Sequence, residues 1–195
     1  MHSPTQRIYL IRHGETEWSK SGQHTGRTDI PLTANGRVQA EAAGRMLSGH
    51  AFSVWCSPLL RARETCHIAG LSANAIYDDD LMEWNYGIYD GRTADQIRET
   101  EPGWSVWESP IPDGESLDQV AQRARSIIRR ATAEVTEGDI AFVAHGHILR
   151  ILAACWIGDP PITARNLALE TAAICILGYD RQVPVIQSWN IIPPR

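Results

Sequence analysis

The chain has 195 residues, with 18 Lys and Arg against 23 Asp and Glu, a formal net charge of −5. That length suits one domain over residues 1–195 rather than two, and 43% hydrophobic with 21% charged residues excludes wholesale disorder. The acidic balance argues against a general nucleic-acid binder, no apolar run approaches the ~20 residues of a membrane span, and the first residues lack a signal-peptide pattern.

Taken in chain order, residues 7–11 (RIYLI) form a short β-rich run that stops at Arg12-His13-Gly14. Thr33 caps a helical stretch through Leu47, with Gly49 just past its end. Residues 51–56 are a second apolar run, halted by Ser57-Pro58, and a short helix is expected from Leu59 to about Ala69, ended by Gly70. A brief apolar stretch at 75–77 leads into Asp78, Asp79, Asp80 and Glu83. Thr93 and Gln96 have capping-box spacing for a helix running to Thr100. Ser116 and Gln119 repeat it for a longer helix, in which Leu117, Val120, Ala121, Ala124, Ile127, Ile128 and Ala131 fall on one face. Residues 140–144 (IAFVA) are a continuous apolar run broken at His145-Gly146-His147; 149–156 predicts a helix, and 172–177 and 183–188 predict late strands.

Strands that read as buried on both faces and alternate with helices predict an α/β fold, a mostly parallel central sheet with helices on both sides. Ligands of such sheets bind beyond the carboxyl ends of the strands. The four cysteines, Cys56, Cys66, Cys155 and Cys175, show no CxxC spacing and read as buried free thiols of a reducing, cytoplasmic compartment.

Three strand ends carry chemically loaded residues: Arg12-His13-Gly14, Ser57-Pro58 followed by Arg61 and Arg63, and His145-Gly146-His147. A single histidine after a strand usually packs locally. Two His-Gly pairs at two buried strand ends are harder to treat as coincidence. A phosphoryl group in transfer spreads negative charge over three oxygens, so it needs positioned cations and an in-line nucleophile. Arg12 and Arg61 offer planar forks for phosphate oxygens. A neutral histidine can attack phosphorus, and a second histidine can add a donor. An acid must protonate the departing alkoxide, and the carboxylates at 78–83 supply candidates. A metal site built on His145 and His147 is the alternative, but neither HExxH nor a paired-Asp motif is present. A P-loop is absent too.

With these residues assembled, the chain resembles the histidine phosphatase superfamily, also called the phosphoglycerate mutase-like family. The matching segments are LIRHGETEW (10–18), HTGRTDIPLTANG (24–36), SPLLRARET (57–65), LMEWNYGIYDG (81–91), PDGES (112–116) and VAHGHILR (143–150). The resemblance implies a three-layer α/β/α sandwich, His13 as the nucleophile that becomes a phosphohistidine, Arg12, Arg61 and His145 on the phosphoryl oxygens, and Glu83 as proton donor. It places Ser19, Thr25 and Gly26 at the substrate and lets Gly146 lend a backbone N–H to the phosphate. Trp84 and Tyr86, with Tyr89, are candidates for a sugar-facing rim, although aromatics after a turn commonly pack as core. Arg63 and Arg150 read as surface or salt-bridge residues, His24 as a pocket-mouth or loop residue, and His147 as a helix cap.

Mutases and phosphatases of this family differ in what accepts the phosphoryl group after the shared step. In the mutases the proton-donor Glu is followed by Arg; here Trp84 follows Glu83. Residues 101–115 contain no Lys or Arg, so the basic cover a mutase needs is missing. The expectation is a metal-independent, cofactor-free phosphomonoester hydrolase. Its nearest branch contains sedoheptulose bisphosphatase and acid phosphatases, which suggests a small phosphorylated metabolite such as a sugar phosphate. Neither nucleic acid nor membrane is expected as a partner, and a homodimer is left open. A mutase and a catalytically silent phospholigand-binding module are the competing readings.

Overall fold

In a computed structural model, residues 6–194 are described. The six strands are β1 (Ile8–Arg12), β2 (Phe52–Cys56), β3 (Ile76–Tyr77), β4 (Asp139–Ala144), β5 (Ile174–Asp180) and β6 (Val183–Ile191). They form one sheet in the order β3-β2-β4-β1-β5-β6. The first four are mutually parallel, whereas β5 runs antiparallel to β1 and pairs with β6 as a hairpin.

The helices are α1 (Glu17–Ser21), α2 (Ala34–Leu47), α3 (Leu60–Ile68), α4 (Ala94–Arg98), α5 (Leu117–Glu134) and α6 (Gly146–Trp156). Alternation along the central strands feeds two cores, because successive side chains leave opposite faces of the sheet. Ile8, Leu10, Ile140, Phe142 and Ala144 face α5 and α6 through Val120, Ile127, Ile148 and Leu152. Tyr9, Ile11, Ala141 and Val143 face α2 and α3 through Ala43, Leu47, Ala62 and Cys66. The result is the expected three-layer α/β/α sandwich.

Thr33, Thr93 and Ser116 each cap the helix that follows, the last two through complete capping boxes. One expectation shifts, and one helix was not anticipated. The helix after His145 begins at Gly146, three residues earlier than its apolar run, because Glu83 caps it from another part of the chain. The short α1 carries no buried residue, so it leaves no apolar period to detect. All four cysteines are free thiols; three are buried and Cys155 is partly exposed. Among the described residues no helix is long and apolar enough to cross a membrane.

Register is what builds the site. Arg12 lies opposite Ala144 and Cys56 opposite Val143, so the three strands end level. The ladder continues one step beyond, with the His13 amide donating to the Ala144 carbonyl (2.9 Å) and the Ser57 amide to Val143 (2.9 Å). His13, Ser57 and His145 are thereby set side by side at the sheet edge.

Candidate active site

The loop after β1 is pinned by backbone contact. A Cβ at Gly14 would lie 2.3 Å from the Gly36 carbonyl oxygen, and one at Gly36 would lie 2.1 Å from that of Glu15. Only glycine permits this approach. The Gly14 amide donates to Thr65 Oγ1 (3.0 Å), whose hydroxyl donates in turn to the Arg61 carbonyl (2.8 Å). The loop bearing His13 is so tied to both α2 and α3.

His13 is buried, and its Nδ1 lies 2.7 Å from the Gly14 carbonyl oxygen. A carbonyl only accepts, so Nδ1 carries the proton and Nε2 keeps its lone pair. Burial, then the guanidiniums of Arg61 and Arg12, push the His13 pKa well below the usual histidine value. His145, fully buried, places its ring 5.2 Å from that of His13 and is driven the same way by burial and Arg61. Both rings are neutral at neutral pH.

Arg61 is fully buried and uses Nη1 and Nη2 to hold the carbonyls of Thr28 (3.1 Å), Thr25 (2.9 Å) and Gly26 (3.0 Å). Arg12 Nη1 donates to the Leu169 carbonyl (2.5 Å). Among the described residues each guanidinium has a buried Nε with no hydrogen-bond partner, and His145 has such a nitrogen at Nδ1. Buried donors are rarely left so. Arg12 lines the same cavity as His13 and the His145 ring packs beside that of His13, whereas Arg61 and His145 stand behind the lining, with Arg61 close enough to both histidines to lower their pKa values.

Glu83 closes the other side. Its carboxyl oxygens accept from the amides of Trp84 (2.9 Å), His147 (3.0 Å) and Ile148 (3.0 Å), so it sits on the N-terminus of α6 and satisfies free N–H groups there. The loop carrying it is anchored by Arg123, which donates to the carbonyls of Asp80, Met82 and Glu83 and forms a paired contact with Glu115 (2.7 and 2.9 Å). Arg12, His13, Glu83 and Gly146 all line one cavity of about 220 Å³. That volume suits a small metabolite, being below the range usual for drug-sized ligands.

A family model for the histidine phosphatase superfamily (branch 1) matches residues 8–192. The chain belongs to that superfamily. It is 43% identical over 180 residues to an acid phosphatase of Mycobacterium tuberculosis, covering 91% of this chain and 88% of the relative. It is 34% identical over 189 residues to sedoheptulose 1,7-bisphosphatase of Saccharomyces cerevisiae, covering 81% and 70%. A probable phosphoglycerate mutase of Shigella boydii is 29% identical, covering 94% and 90%. Among solved structures, an open reading frame product of Mycobacterium tuberculosis superposes with a TM-score of 0.92 at 40% identity, covering 97% of this chain and all of that one. With phosphatases heading these relatives, the histidine phosphatase is an enzyme of the hydrolase kind.

In this histidine phosphatase the predicted residues are not all at the cavity. Ser19, Thr25, Tyr86 and Gly146 line it, as does His24. Trp84 does not: it is 1% exposed, donates its indole N–H to the Glu115 carbonyl (2.7 Å), and packs in the core. Gly26 sits behind the cavity wall, where a Cβ would meet the Trp84 carbonyl at 3.0 Å, and its amide is taken by Asp90. Tyr89 is core, with its hydroxyl bonded to Glu101. Arg63 lies over the Tyr77 ring, away from the site. Asp78 and Asp80 pair with Arg130 instead of facing the cavity.

Two expectations are corrected. Arg150, read as a surface residue, lines the cavity one turn beyond His147; its guanidinium lies 4.7 Å over the Trp107 ring and bonds the carbonyls of Ala164 and Arg165. His147, read as a cap, instead holds its ring 2.6 Å from the Tyr86 hydroxyl while Glu83 does the capping. Thr65 and Glu115 fell inside the matching segments 57–65 and 112–116 without a role, and Arg123 carried no sequence signal, since the partners of all three lie far away in the chain.

Proposed function

We propose that this histidine phosphatase hydrolyses a small phosphomonoester, a sugar phosphate by class, through a phosphohistidine on His13 and without a metal ion. The observation that carries the reading is a set of buried nitrogens left unpartnered among the described residues, Arg12 Nε, Arg61 Nε and His145 Nδ1, on the side chains whose charge or ring bears on His13. Two guanidiniums and a second imidazole beside the nucleophile suit the negative charge spread over a phosphoryl group's oxygens. The guanidiniums supply the positive charge that a metal would otherwise bring.

His13 Nε2 attacks phosphorus as the bond to the sugar oxygen breaks, and the Glu83 carboxyl gives that oxygen its proton. Water then attacks the phosphohistidine, the Glu83 carboxylate takes the water proton, and phosphate departs with His13 restored. Gly146, first residue of α6, offers its amide toward the cavity. Water as acceptor is supported by the cover: Trp104 and Trp107, with no lysine or arginine between 101 and 115, stand over His24 and His147. Arg150 adds positive field at the wall and forms no ion pair among the described residues. The sugar-phosphate class rests on the bisphosphatase relative, and a cytoplasmic setting on the four free thiols.

Turnover of p-nitrophenyl phosphate in EDTA tests the reading. The wild type should turn over, and His13→Ala should lose on the order of 10³-fold or more in kcat. Acid-labile, base-stable label from a ³²P substrate should sit on His13. Label on another residue, or activity abolished by EDTA, would overturn the mechanism. Isomerisation of a phosphoglycerate faster than phosphate release would replace hydrolysis by mutase chemistry.

A further inference from the structure

Ser57 follows β2, is fully buried, and has no part in the chemistry just described. Its Oγ lies 2.7 Å from His145 Nε2 and accepts the Leu59 amide at 3.3 Å. We propose that the Ser57 hydroxyl is a positioning group that fixes His145 as its Nδ1–H tautomer, so that the ring presents a hydrogen-bond donor to the phosphoryl oxygens. The proposal rests on the phosphohistidine reading and adds to it the proton location at its second histidine.

The argument is a count of protons and lone pairs. A serine hydroxyl has one proton and two acceptor lone pairs. The Leu59 amide occupies one lone pair. If His145 carried its proton on Nε2, it would fill the second, and the hydroxyl proton would be left with no acceptor among the described residues. If Ser57 donates to a bare Nε2, then the Leu59 amide, the hydroxyl and the ring nitrogen are all satisfied. Buried polar groups are overwhelmingly found satisfied. The proton of a neutral His145 then resides on Nδ1, the nitrogen that is buried with no partner among the described residues and belongs to the ring beside His13.

Neutrality is what gives the arrangement consequence. Burial and Arg61 keep His145 uncharged, so it has a single N–H to place. On the wrong nitrogen, the ring would turn a lone pair toward phosphate oxygens and repel them. Ser57 is held for this task by the strand ladder, its own amide donating to the Val143 carbonyl (2.9 Å).

Nitrogen NMR of ¹⁵N-histidine-labelled protein reads the tautomer directly. In phosphate-free buffer near neutral pH, the wild-type His145 should show a protonated Nδ1 and a bare Nε2. In Ser57→Ala the ring should populate the Nε2–H form. The kcat for p-nitrophenyl phosphate should fall on the order of 10²-fold, the loss expected for one transition-state donor, with KM changing far less. Ser57→Thr, which returns a hydroxyl, should recover most of both. A wild-type His145 protonated on Nε2, or on both nitrogens, overturns the proposal without any variant. So does a Ser57→Ala protein that keeps the Nδ1–H tautomer and the wild-type kcat. Failure of the underlying reading looks different: no label reaches His13, while the His145 tautomer remains measurable.

Discussion

The Nδ1 contact of His13 with the carbonyl of its own neighbour Gly14 leaves Nε2 as the reactive nitrogen. Across the cavity, Glu83 is the only carboxylate in its lining among the described residues, and three backbone amides aim it. Its proton matters in proportion to how poor the leaving group is. A sugar alkoxide cannot depart without one, whereas a nitrophenolate can. Glu83→Gln should therefore lower kcat/KM for a sugar phosphate by about 10²–10⁴-fold and for p-nitrophenyl phosphate by much less. The ratio kcat/KM is the right readout, since it ends at formation of the phosphoenzyme and omits the water step. Equal losses on the two substrates would remove Glu83 from the acid role and leave it as a brace for α6.

At the scale of elements, the site depends on how closely the loop after β1 lies on the first turn of α2. Gly36 is the third residue of that helix, where glycine is a poor helix former, yet its carbonyl sits within contact of the Gly14 Cα and its own Cα meets Glu15. Gly36→Ala would drive its new Cβ against the Glu15 carbonyl oxygen at 2.1 Å, so the loop must move. The expected cost is about 1–3 kcal/mol of stability by denaturant unfolding, with a fall in kcat as His13 and the Gly14 amide bond to Thr65 shift. Unchanged kcat would show that His13 is positioned by the strand alone. This close approach was invisible in the chain, where glycine inside TANG reads only as helix onset. What was legible is what local pattern encodes: the abrupt strand ends at His13, Ser57 and His145, the Thr33, Thr93 and Ser116 caps, and the cationic residues beside them. Pairing direction was not. Nothing in residues 172–188 marks β5 as antiparallel to β1, since orientation follows from how the chain returns. Nor could sequence show that Arg150 meets Trp107, 43 positions earlier, or that Trp84 turns inward to Glu115.

For the whole molecule, the net charge of −5 conceals a cluster of buried and half-buried histidines with lowered pKa values, and these make acid the natural stress. Burial lowers His13, His145 and His147 well below the usual histidine range and pushes His24 down to about 4. In the unfolded chain each would titrate near 6.5. Between those values the unfolded state binds protons that the folded state refuses, so stability must fall as pH falls. The contribution is fully present above about pH 6.5 and is lost progressively as pH drops toward the folded values. For His24, partly covered by Tyr86 and Trp104 and with its Nε2 buried and unpartnered, the loss by pH 4 amounts to roughly 3 kcal/mol at most. Asp90 opposes the shift and Arg98 reinforces it, but burial dominates. Urea unfolding at pH 7 and pH 4.5 should show the wild type weakening markedly, and His24→Asn weakening by less over the same interval, because one proton uptake has been removed. The ordinary carboxylates titrate near 4 and below, so most of this loss precedes theirs. Parallel pH dependences for the two proteins would mean that His24 is already solvated in the folded state, and would move it from the cavity wall to the mouth.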